Sequence, residues 1–142
     1  MLVNAFPALE DRRLLLTSAL DLSRADGHIA HPERAALDAL ASALALHDDR
    51  WPVAWPSRLG VSTRLRRFAY GLAEWMSRVD GLVVPAEVAH LEALRVRLGL
   101  TEPESRALAR HAAYVDEHTR GRALVCPWQH EIEHLANRIL CA

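Results

Sequence analysis

Lysine is absent from this sequence of 142 residues, so every basic side chain is an arginine. Arginine forks suit phosphate recognition. Spread along the whole chain as they are here, they need no ligand to explain them, since a base-composition bias in the coding DNA gives the same pattern. The one local cluster, Arg58, Arg64, Arg66 and Arg67, reads either as an anion-contacting face or as a solvated helix start. Aromatic residues make up only 6% of the chain and β-branched residues are sparse, which argues against sheet. The only cysteines, Cys126 and Cys141, both fall in the last segment, too few for a disulfide framework. No apolar run approaches the length of a membrane span. Met1 to Leu9 lacks the charged start and long apolar stretch of a signal peptide, so a cytoplasmic location is expected. A formal net charge of −1 offers no global field for nucleic acid or a membrane surface. No Ser/His/Asp order and no glycine-rich phosphate loop is present.

What is abundant is alanine and leucine at helical spacing. One helix is expected over Asp11 to Ala25, with Leu15, Leu16, Ala19, Leu20 and Leu22 inward. A second starts near Pro32, with Leu37, Leu40, Ala41 and Leu44 inward. Residues 47–61 carry prolines with Trp51 and Trp55 and read as a structured loop. Ser62 can cap a third helix striped by Leu65, Phe68, Ala69, Leu72, Met76 and Val79. The fourth runs from about Pro85 to Leu98, with Val88, Leu91, Leu94 and Leu98 inward. Thr101 and Glu104 form a capping-box pattern for the fifth, whose core face is Leu108, Ala112 and Val115. The sixth follows Pro127, with Ile132, Leu135, Ala136, Ile139 and Leu140 inward. Trp75 and Trp128 read as packing anchors, and His111 as a hydrogen-bonded histidine on the core side. The fold class is all-α: a compact single-domain bundle of about six helices over 1–142.

The chain also matches itself at one fixed offset. Asp26-Gly27 falls on Asp80-Gly81 and Glu33 on Glu87. Ala35, Leu37, Ala39, Leu40, Leu44 and Leu46 fall on Ala89, Leu91, Ala93, Leu94, Leu98 and Leu100, and Ala19 falls on Ala73. This predicts two helical hairpins around a pseudo-twofold axis, repeat one over about 11–46 and repeat two over about 63–100, followed by C-terminal helices over about 102–141. Asp26 and Asp80 sit at helix C-termini, where the dipole disfavours negative charge. They act either as Asx-type turn formers or as cation ligands. Gly27 and Gly81 supply the left-handed backbone of the reversal. Glu33 and Glu87 stand in the first turn of the next helix and can reach back over the bend. The spacing equals the second half of an EF-hand loop, but Leu22, Arg24, Met76 and Arg78 occupy the earlier ligand positions and exclude that motif.

The segments DGHIAHPE at 26–33 and DGLVVPAE at 80–87, each followed by an Ala/Leu helix ending in ALAL or RLGL, resemble the TerB-like family. This is the helical domain named after bacterial tellurite-resistance proteins and also found fused to co-chaperones. The likeness covers roughly residues 12 to 110. It implies an all-helical, non-enzymatic module in a stress-response setting, docking a partner protein or a second copy of itself. It also implies divalent-cation binding, calcium or magnesium, with Asp26, Glu33, Asp80 and Glu87 as ligands.

A competing pattern lies near the C-terminus. His130-Glu131-Ile132-Glu133-His134 fits the zinc-hydrolase string HExxH, and Cys126 lies one turn earlier on roughly the same side. The string QHEIEHL at 129–135 is similar to the zinc-binding helix of peptide deformylases, but their glycine-rich and Glu-Gly-Cys segments are missing. His130, His134 and Cys126 are therefore the alternative zinc site. A hydrolase would need a third ligand from Cys126, Glu117 or His118; the bland alternative is a pair of exposed histidines without metal.

Overall fold

The computed structural model describes residues 2–25, 27, 29–46, 61–79, 81, 84–119 and 127–141. Within them lie seven helices and no strand: α1 (Leu2–Ala5), α2 (Leu9–Ser23), α3 (His31–Ala43), α4 (Thr63–Met76), α5 (Pro85–Leu98), α6 (Glu102–Thr119) and α7 (Pro127–Leu140). The expected six all form. The addition is α1, a single turn that places Leu2 in the core and stacks Phe6 on Phe68 with ring centroids 5.7 Å apart. Such a short apolar segment carries too little periodicity to be read as a helix beforehand. Trp51 and Trp55 fall outside the described residues.

Helix α4 is the centre of the bundle, packed against α2, α5, α6 and α7. Every residue from Phe68 to Met76 is buried. Small residues make that possible: Ser18 of α2 donates its hydroxyl to the Ala69 carbonyl at 2.8 Å, and a Cβ on Gly71 would collide with Ile139 of α7. The helix starts where the sequence says it should, with Ser62 Oγ accepting the Leu65 amide at 3.1 Å. At the start of α6 the expected box closes in both directions: Glu104 N donates to Thr101 Oγ1 at 3.2 Å and Thr101 N to Glu104 Oε2 at 3.3 Å. Trp75, 1% exposed, meets Trp128 edge to face, as packing anchors should.

One inward assignment is corrected. Val88 is 55% exposed, and Val96, two turns further along the same helix, is 54% exposed. Helix α3 packs on both α2 and α7, whereas α5 packs on α4 and α2 with its outer face bare. Apolar residues also flank the Leu91, Leu94 and Leu98 stripe of α5, which blurs the edge of its inward face.

Candidate functional site

Two bends, α2–α3 and α4–α5, carry the residues singled out by the sequence. Asp26 and Asp80 themselves lie outside the described residues, while the residues flanking each of them are described. In the first bend Gly27 has φ 96° and donates its amide to Arg24 O at 3.0 Å; in the second Gly81 has φ 78° and donates to Arg78 O at 3.1 Å. Both are left-handed positions that a side chain would strain. None of the described residues of either bend lies in a strand.

Beyond each bend a glutamate turns back. Glu33 Oε1 accepts the Ala30 amide at 3.3 Å, and Glu87 Oε1 accepts the Val84 amide at 3.2 Å. This is the glutamate half of a capping box; Ala30 and Val84 have no side-chain oxygen to return the bond. Both glutamates are buried, at 3% and 4% exposure, and both make further contacts. A buried carboxylate is costly without compensation, and the helix N-terminus above it supplies amides and a favourable dipole.

A second matched device was not anticipated. Arg12 of α2 donates Nη1 to the Leu44 carbonyl at 2.8 Å, and Arg66 of α4 donates Nη1 to the Leu98 carbonyl at 3.1 Å. Each cation caps the C-terminal end of the other helix in its hairpin, where the dipole favours positive charge. Arg12 and Arg66 stand at the same offset as the glutamates, a signal the sequence held but that charge composition alone hides.

Behind the second bend lies a cleft of about 310 Å³ lined by Tyr70, Glu74, Ser77, Arg78, Val88, Leu91 and Glu92. In it the Tyr70 hydroxyl donates to Glu74 Oε1 at 2.8 Å and Arg78 stands 3.8 Å from Glu74 Oε2. Burial pushes the Glu74 carboxyl above its ordinary range, against the opposing pull of the Tyr70 hydrogen bond and the Arg78 charge.

On α7, His130 is exposed, and the half-buried His134 presents its ring edge to face with Tyr114, centroids 5.8 Å apart. The two histidine rings lie 6.4 Å apart. Glu131, between them in sequence, is only 5% exposed. Cys126 lies outside the described residues, and among those described no three His, Cys, Asp or Glu side chains are placed to share a metal ion. His118 is occupied locally, its Nδ1–H donating to the Tyr114 carbonyl at 2.8 Å. Comparison with protein-family profiles, with curated proteins and with solved structures returned no match.

Proposed function

We propose that the chain is a non-enzymatic helical binding module of the TerB-like kind, built from a duplicated hairpin, whose two Asp-Gly…Glu bends each hold a divalent cation, calcium or magnesium. The observation that carries this reading is the identical placement of Glu33 and Glu87. Each is buried, each reaches back to the amide that opens its helix, and each stands across a glycine bend from an aspartate in sequence. An ionised carboxylate offers about four lone-pair sites, so bonds to protein donors are compatible with a bond to a hard cation. A cation spanning the aspartate at one helix end and the glutamate at the next would offset the unfavourable charge of Asp26 and Asp80 against their helix dipoles. The module would then present a cation-dependent surface to a partner protein in a stress-response setting.

The non-enzymatic part of the reading draws support from α7. The general base of an HExxH hydrolase must reach a metal-bound water, and Glu131 is nearly closed off from solvent while His130 is open to it.

Thermal unfolding with and without millimolar calcium or magnesium tests the proposal, using the native chain, the Asp26→Ala/Asp80→Ala variant and the His130→Ala/His134→Ala variant. At a cation concentration about a hundred times the dissociation constant, the native chain should gain about 2.7 kcal/mol per site, about 5.4 kcal/mol for the two. The aspartate variant should lose that gain and the histidine variant keep it. Zinc-specific stabilisation lost only with the histidines would favour the hydrolase instead.

A further inference from the structure

Most arginines whose contacts are described in this chain are spoken for. Arg13, Arg78, Arg95 and Arg106 face glutamates, and Arg12, Arg64 and Arg66 spend their forks on carbonyl oxygens. Of the described arginines that stand in no ion pair and on no carbonyl oxygen, Arg24, Arg34, Arg67, Arg97, Arg110 and Arg138, three share one neighbour. Arg138 of α7 touches His111 of α6, and Arg110, its neighbour in sequence, and Arg67 of α4 come near enough to act on its charge, where those three helices pack together. Among the described residues no ion pair or hydrogen bond involves Arg67 or Arg110.

Arg138 is held by neutral groups. Its Nε donates to His111 Nδ1 at 3.2 Å, and its guanidinium carbon lies 3.8 Å from the Tyr114 ring centroid. Tyr114 is itself stacked on His118 with centroids 3.7 Å apart. The fork is therefore oriented while its charge stays uncompensated. Burial and the nearby Arg138, Arg67 and Arg110 all hold the His111 imidazole below its ordinary pKa, and no acidic group among the described residues opposes them. With Nδ1 accepting, the neutral ring carries its proton on Nε2 and adds a further donor.

We propose that Arg67, Arg110, Arg138 and His111 form a binding site for a phosphate group. Three like charges gathered without a counter-ion repel one another, and an oxyanion placed among them relieves that repulsion. Guanidinium forks match phosphate oxygens in pairs, and a fork already fixed by ring contacts loses little freedom on binding. A dianion answers three cations better than a single carboxylate does. The site is independent of the glycine bends.

The imidazole signals of His111 in a nuclear magnetic resonance titration test this directly. Inorganic phosphate is added at constant ionic strength, and a short uncharged peptide bearing one phosphoserine forms the second arm. Saturable movement of the His111 signals is expected. Affinity should fall about tenfold in Arg138→Gln and in Arg110→Gln, the range of a lost charged hydrogen bond. Arg106→Gln, which removes an exposed partner of Glu102 on the same helix, should leave it unchanged. Arg110 is exposed, so its substitution tests the site without threatening the fold. Saturation by inorganic phosphate identifies a free ion as the ligand, and saturation by the peptide alone identifies a phosphorylated partner; either supports the site. No saturable response in either arm, equal response to chloride, or equal weakening by Arg106→Gln overturns it.

Discussion

The first hairpin closes its second helix on Ala45 at φ 54°, and the second closes on Gly99 at φ 70°. The surrounding bonds are the same: Leu46 N donates to Ala41 O at 2.9 Å and Leu100 N to Arg95 O at 3.1 Å. These are Schellman-type ends, which favour glycine at the left-handed position. The hairpins differ in the helix that faces inward. The offset that aligns the two stretches puts Leu16 and Leu20 of α2 against Tyr70 and Glu74 of α4, an apolar pair against a hydrogen-bonded polar one. Backbone devices are thus set locally and recur, while each hairpin's packing is set by what lies against it. Helix α3 packs on α2 and α7 and exposes a narrow stripe, whereas α5 packs on α4 and α2 and exposes a broad face.

The largest effect that can break this comparison is in the core. Leu40 in α3 is fully buried and Leu94 in α5 is 4% exposed. Leu40→Ala should cost about 3–5 kcal/mol and Leu94→Ala about 2–3 kcal/mol by denaturant unfolding, because the more open helix relaxes more readily around the lost volume. Reversed costs would remove the distinction between the more covered helix and the more open one.

Next come the arginine ties. Arg12→Ala and Arg66→Ala should each cost about 1–2 kcal/mol, since each leaves a helix-end carbonyl without its charged donor. A loss in one variant alone would make the two ties unequal in role. Smaller again are the helix ends. Ala45→Gly should stabilise by about 1 kcal/mol and Gly99→Ala destabilise by about as much, opposite signs at matched positions. Like signs would mean that something other than the left-handed backbone governs these ends.

The smallest effect belongs to Glu74. Its folded pKa lies above the unfolded value of 4.5, mainly through burial. The stability it contributes is therefore fully present below the unfolded pKa and is lost as pH rises through the folded one. Glu74→Gln should flatten that decline in unfolding curves taken from about pH 4 to pH 7. Leu20, at the matching position of the first hairpin, cannot titrate; its neighbour Asp21, also raised by burial, adds a decline that Glu74→Gln should leave in place.

Much of this architecture could be read from the residues. Pro85 to Leu98 marked α5, Ser62 the start of α4, and Thr101 with Glu104 the start of α6, because caps act within a turn and need no tertiary partner. Val88, expected inward, is exposed, because apolar residues also flank the Leu91, Leu94 and Leu98 stripe and blur its edge. Glu33 and Glu87 were visible through their spacing, but that they lie buried follows from neighbouring helices. Arg12, Arg66 and the cluster of Arg67, Arg110 and Arg138 stayed hidden for a different reason. In a chain whose every cation is arginine, residue type does not separate a structural tie from a surface charge. Only the partners do that, and they come from other helices.

Counting bound cations bears most directly on the central claim. Calorimetric titration of calcium or magnesium into the native chain should give two sites per chain, falling to one in Asp26→Asn and one in Asp80→Asn. No binding, or a stoichiometry that neither substitution lowers, would contradict the account.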